Sequence, residues 1–99
     1  MGSGARMAES IMQTEKRCYL CDKKTCLERH HVMSGIANRK LSEKYGLWVW
    51  LCWDCHTGTH GAQYDREKNF DLKTEAQIAF EALYGHDQWM KTFYKNYIY

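Results

Sequence analysis

The chain has no proline, so no turn in it rests on a cis X–Pro bond and no helix is interrupted by a pyrrolidine ring. No apolar run approaches the roughly 20 residues that a membrane-spanning helix needs, and no signal-type hydrophobic stretch is present. Internal repeats and low-complexity segments are missing as well. So is a strong excess of one charge: 14 Lys and Arg against 12 Asp and Glu leave +2 with the histidines neutral, weak grounds for a nucleic-acid partner. The chain is also short. Its 99 residues suit one domain with a small core. Domains below roughly 70–80 ordered residues commonly need a staple.

The cysteines supply one. Four of the five stand in two Cys-x-x-Cys pairs, Cys18/Cys21 and Cys52/Cys55, on either side of a segment of about 30 residues. Two such knuckles bring four soft thiolates to one tetrahedral centre, the geometry of a closed structural Zn2+ site. Such a site is worth about 10–16 kcal/mol of apparent binding energy in finger-like peptides. The odd count and the paired spacing speak against a secreted disulfide framework, and a thioredoxin-like motif needs one pair rather than two. Cys26 is left over and reads as a small buried hydrophobe on a strand.

Charge is unevenly distributed. Residues 1–50 carry a net +4 and residues 51–99 a net −2. Arg29, Arg39, Lys40 and Lys44 lie near the histidines of the basic half, although a solvated charged surface has the same composition. Residues 1–16 (MGSGARMAESIMQTEK) are polar and Gly/Ser-bearing and read as a flexible leader or a cloning remnant, outside the fold.

From residue 17 onward the pattern predicts an α+β domain. A knuckle at 17–24 leads to a strand over 25–32, a turn at Ser34-Gly35 and a helix over 37–45 stopped by Gly46. LWVWL at 47–51 is the clearest strand, with Trp48 and Trp50 on one side as packing residues. A helix over 53–60 carries the second knuckle. After a polar, irregular stretch at 61–70, residues 71–84 form an amphipathic helix with Leu72, Ala76, Ala79, Phe80 and Leu83 on one stripe and Gly85 as its cap. A last helix over 87–96 turns Trp89, Met90 and Phe93 inward. These two helices are expected to cover the strand pair.

Four of the five histidines gather in or beside the cysteine frame: His30 and His31 between the pairs, His56 and His60 after the second. His56 and His60 stand at i, i+4 and would share a helix face, able to hold one ion between them. One of His30 and His31 can complete a three-ligand site, and the other can point at an attacking water. Neighbours on a strand project to opposite sides, so the two roles fall to different residues. Glu28 shares a strand face with His30 and reads first as a solvated carboxylate and second as a partner that supports the histidine site. His86 lies outside this group and reads as a surface or capping residue.

The pattern R-C-Y-L-C…L-E-R-H-H-V…L-C-W-D-C-H-x-x-x-H resembles the zinc-knuckle branch of the HNH, or ββα-metal, endonucleases. It is closest in kind to small stand-alone HNH proteins of bacteriophages and prophages. R-K-L-S-E-K-Y-G-L at 39–47 and F-Y-K-N-Y-I at 93–98 are similar to that group too. The resemblance implies a single nuclease domain over 17–99, with a ββα-metal core at 17–60 stapled by the Cys18, Cys21, Cys52 and Cys55 zinc, and covering helices at 71–98. It implies hydrolysis of DNA phosphodiesters, as an endonuclease or nickase, leaving 5′-phosphate and 3′-hydroxyl ends. By position, His31 would be the general base and His30 and His56 ligands of a catalytic divalent cation. His60 would be a third ligand or a phosphate contact. Arg29, Arg39 and Lys40 would bind substrate.

Imidazole ligation favours Mn2+, Ni2+ or Co2+ over Mg2+ as the catalytic ion, since Mg2+ prefers oxygen and keeps its waters. The resemblance further implies DNA as partner, phage packaging proteins as further partners, a monomer or weak dimer, no membrane association, and a phage- or prophage-encoded protein in the bacterial cytoplasm. A non-catalytic zinc-stabilised DNA-binding or packaging accessory module is the alternative. The family's middle Asn, which braces the loop of the base, is missing. Tyr45-Gly46-Leu47-Trp48 occupies that stretch, with Asn38 the nearest Asn, and backbone groups around Gly46 are expected to take over the bracing.

Overall fold

A computed structural model describes residues 8–58, 61 and 65–98. The elements run β1 (Leu27–His31), α1 (Ile36–Tyr45), β2 (Trp48–Cys52), α2 (Trp53–His56), α3 (Arg66–Tyr84) and α4 (His86–Phe93). The two strands form an antiparallel pair, with Leu27 opposite Cys52 and His31 opposite Trp48. The described residues therefore form a small α+β fold of four helices and a two-stranded antiparallel sheet. Among the described residues no helix is long and apolar enough to cross a membrane.

Side-chain alternation along the pair sorts the chemistry. Glu28 and His30 share a face with Val49 and Leu51, whereas Arg29 and His31 share the other with Trp48 and Trp50. Val49 and Leu51 are buried with Val32, Met33, Leu47, Leu72, Ala76, Phe80, Trp89 and Phe93 in one core. The C-terminal helices thus cover the strand pair as their apolar residues require. The stripe on α3 is rotated from the expected one. Gln77 is fully buried and Leu83 is 61% exposed, because Gln77 binds the chain after α4 through Asn96 and Tyr97.

Three helix boundaries differ from the pattern by more than a residue. Helix α4 ends at Phe93 rather than 96, where Tyr94 turns left-handed and returns its N–H to the Met90 carbonyl. Helix α3 begins at Arg66 rather than 71, because the Asp65 carboxylate accepts the Glu67 and Lys68 N–H groups and caps an extra turn. Helix α2 ends at His56, where the Thr57 and Gly58 N–H groups both turn back to the Trp53 carbonyl. It is four residues long and stops short of the expected residue 60.

The segment expected as a leader belongs to the fold from Ala8 onward. Ala8 and Ile11 donate to the carbonyls of Glu43 and Gly46, and Ser10 donates to that of Trp48. The Trp48 indole donates to Ala8, and the Trp50 N–H donates to the Gln13 side chain. Tyr19 N–H completes the strap at the Trp50 carbonyl, so the outer edge of β2 is covered.

Gly46 stops α1 in the left-handed region at φ 72°, and its N–H returns to Ser42. A Cβ there would sit 2.1 Å from the Glu9 carbonyl oxygen. Gly46→Ala is expected to cost more than the roughly 1–2 kcal/mol of a left-handed alanine, read from the urea midpoint. Deleting the residues before Met12 should return that cost to the conformational part alone. Equal costs in both backgrounds would show that the strap does not press on Gly46.

Candidate functional site

The two knuckles meet where β2 passes into α2. The sulfurs of Cys18, Cys21, Cys52 and Cys55 all lie within 4.8 Å of one another, with Cys21 Sγ 3.6 Å from Cys52 Sγ. That is close to the spread set by one ion about 2.3 Å from each sulfur, and the group can hold a metal such as zinc. The first knuckle closes through Cys18 N–H to Lys23 O at 2.7 Å and Asp22 N–H to Cys18 O at 2.8 Å, with Asp22 in the left-handed region. An Asp tolerates that conformation better than most residues.

The sulfur electrostatics suit a cation. Burial raises the Cys18 thiol, but the backbone N–H groups of Cys52, Cys21 and Leu20 outweigh it and bring the pKa from 9.0 down to about 7. Burial, and then the neighbouring Cys52, Cys18 and Cys21, push Cys55 well up. Four thiolates cannot ionise together at one point without a positive charge among them. Cys26 is not part of the cluster. It is exposed, at φ 53° in the bend before β1, and accepts Trp53 N–H at 3.0 Å through its carbonyl. The expected buried strand position is therefore not its place. The β1 ladder begins one residue later.

Across the turn from the sulfurs stand the histidines. His56 directly follows Cys55 in sequence, and its ring lies 5.1 Å from that of His30 at an interplanar angle of 68°. The His56 Nδ1–H donates to Glu28 Oε1 at 2.7 Å. Glu28 is thus the orienting partner, the second of its two readings, rather than a solvated carboxylate, and its bond leaves Nε2 as the other ring nitrogen of His56. His30 is 9% exposed, and its Nε2 is buried without a hydrogen-bond partner. Burial first, and then the facing His56, hold the His30 pKa down to about 4. The imidazole is neutral at pH 7 and its orphaned nitrogen is available to a metal. Among the described residues the four cysteines are the one group of three or more potential ligands that converge. His30 and His56 make a pair, and His60 lies outside the described residues.

His31 points from the opposite strand face. Its Nε2 is buried and lies 3.2 Å from Glu43 Oε1 on α1, close but off hydrogen-bond alignment. Burial and then the Arg39 charge lower its pKa, opposed by Glu43. The loop after it is pinned by Ser42, a fully buried hydroxyl that accepts Met33 N–H at 3.2 Å and donates to Met33 O at 2.9 Å. Val32 N–H adds a bond to Leu47 O at 3.0 Å. Bracing therefore comes from Ser42 and from the backbone beside Gly46. Asn38 takes no part in these bonds.

A cleft of about 500 Å³ opens over these groups, lined by Arg29, His30, His31, Ser34, Gly35, Ile36, Arg39 and His56. Lys40 is exposed on α1 and does not line it. Arg29 stands over the Trp48 ring at 4.2 Å and the Trp50 ring at 5.2 Å, so those tryptophans orient a cation at the cleft edge. Ser42 and Glu43 are the site residues that the sequence pattern did not select. Period-2 alternation pointed at Glu28, but a polar residue inside a helix, such as Ser42, gives no sign of what it faces.

Zinc content measured by mass spectrometry is expected to be one ion per chain, lost on Ser substitution at Cys18, Cys21, Cys52 or Cys55 and kept in Cys26→Ser. Because burial and the neighbouring thiols favour the protonated form of Cys55 in the free cluster, zinc uptake at pH 7 should release protons, and affinity should fall as the pH drops. Uptake without proton release, or a Cys18→Ser chain that keeps its zinc, would contradict the four-thiolate site.

Comparison of the chain with protein-family models, with curated proteins and with solved structures gives no match, so the reading of the site rests on its own geometry.

Proposed function

We propose that this protein is a metal-dependent DNA endonuclease or nickase of the HNH (ββα-metal) type. The observation that carries the reading is the His30–His56 pair: one imidazole with a buried, partnerless nitrogen, the other fixed by Glu28, both on the cleft that His31 also lines. A bare buried nitrogen costs about 1–3 kcal/mol, and a ligand relieves that cost. His30 and His56 would hold the divalent cation, and His60 would add a third ligand or a phosphate contact. When bound, such an ion supplies Lewis-acid stabilisation of charge on the phosphate and on the leaving 3′-oxygen.

The protein's own groups supply the rest. Glu43 stands at the Nε2 of His31, which leaves Nδ1 as the atom to take a proton from water. General-base action of this kind is worth about 10²–10⁴ in rate. Burial and Arg39 favour the neutral imidazole, the form a base requires. Arg29 and Arg39 at the cleft wall offer guanidinium groups to the phosphate oxygens. Cleavage between phosphorus and the 3′-oxygen leaves 5′-phosphate and 3′-hydroxyl ends.

Supercoiled plasmid incubated with the zinc-loaded protein is expected to be nicked when Mn2+, Co2+ or Ni2+ is added and more slowly with Mg2+. DNA ligase should reseal those nicks. His31→Ala should lower cleavage by about 10²–10⁴ while calorimetry shows the second metal still bound. His30→Ala should weaken that binding, and Glu28→Gln should weaken it by about 10–100-fold. An uncut plasmid under every metal, or a His31→Ala protein as active as the parent, would remove the nuclease reading and leave a zinc-stapled scaffold.

A further inference from the structure

Residues 93–98 (FYKNYI) hold a feature that the histidine cleft does not use. The chain beyond α4 is pinned to α3 by bonds that end on a fully buried glutamine. Gln77 Oε1 accepts Tyr97 N–H at 2.6 Å, and Gln77 Nε2 donates to Asn96 Oδ1 at 2.9 Å. Thr74 Oγ1 donates to the Tyr97 carbonyl at 3.1 Å, and Trp89 Nε1 donates to the Lys95 carbonyl at 2.8 Å. Residues 95–97 therefore have a fixed place.

That place brings two cations together. The Nζ atoms of Lys73, on α3, and Lys95 stand 5.7 and 5.3 Å from the centre of the same Tyr97 ring. None of the ion pairs among the described residues includes either lysine. The helix neighbours of Lys73 at i±3 and i±4 are Asn69, Phe70, Ala76 and Gln77, so its own helix face offers no carboxylate. Asp71 and Glu75, each two residues from Lys73, project away from that face, and Glu75 receives the Tyr19 hydroxyl. Burial, and then the Lys95 charge, hold the Lys73 ammonium below its ordinary pKa. Two like charges held around one ring by a buried polar network work against folding until an anion joins them.

We propose that Lys73 and Lys95, set around Tyr97, seat backbone phosphates of duplex DNA. This rests on the nuclease reading and extends its substrate contact onto the C-terminal helices. The contact is with phosphate, so it adds affinity without base preference.

The test is the salt dependence of binding, followed by fluorescence anisotropy on a short labelled DNA duplex with the zinc-loaded full chain and no second metal added. Each lysine–phosphate contact contributes about 0.9 to the slope of log K against log salt. Lys73→Ala/Lys95→Ala should therefore flatten the slope by about 1.8, whereas Lys73→Arg/Lys95→Arg should keep it. Zinc content and circular dichroism of both variants should match the parent. A parent that binds duplex and a double-alanine variant with the same slope would overturn the phosphate seat and leave the nuclease reading standing, as would affinity lost equally at every salt concentration. A parent that fails to bind duplex at all would overturn both.

Discussion

The convergence of four sulfurs at the end of β2 is the constraint on which the rest of the molecule depends. Strands of five residues and a helix of four are too short to persist alone. Cys21 and Cys52 are 31 residues apart in sequence and 3.6 Å apart at their sulfurs, so the cluster closes the long loop that carries β1, α1 and β2. It also fixes the single turn of α2, whose last residue is His56. The imidazole facing His30 is therefore placed by the residue before it, a cysteine of the four-sulfur cluster, rather than by helix propensity. A rigid support directly beside a reactive group is what precise chemistry requires.

The second organising fact is the pleat of β1. One strand end delivers His30 to the core side and His31 to the tryptophan side, yet both line the same cleft because the sheet ends there. Each histidine meets its own carboxylate-bearing partner: Glu28 works through His56 on one side, and Glu43 stands at His31 on the other. In the proposed enzyme this division keeps proton transfer and metal ligation on separate side chains. In a mere scaffold it would leave a buried imidazole nitrogen with nothing to bind.

What could be read from the sequence followed from chemistry that is local. The Cys-x-x-Cys spacing, the Gly46 stop, the apolar run of β2 and the inward faces of Trp89 and Phe93 depend on a few adjacent residues, and each is where the pattern put it. What could not be read depends on distant partners. Gln77 is buried, and Leu83 is not, because residues 96 and 97 return to α3. The Asp65 cap lengthens α3 through two backbone bonds that a helix-period search passes over. Glu28 became an orienting group only when α2 laid His56 beside it. Residues 8–16 look like a polar leader in composition, yet their polarity is what lets them bind the edge of a strand.

That last feature bears on how the protein keeps to itself. An open strand edge is a template for pairing with another copy, and β2 is apolar along most of its length. The strap from Ala8 to Tyr19 occupies the outward N–H of Trp50 and the outward carbonyls of Trp48 and Trp50. Trimming the chain to its first cysteine knuckle would leave only the Trp50 carbonyl covered on a tryptophan-rich ribbon. Its easiest route to satisfaction would be intermolecular association, so the residues that look most dispensable serve as a guard against aggregation.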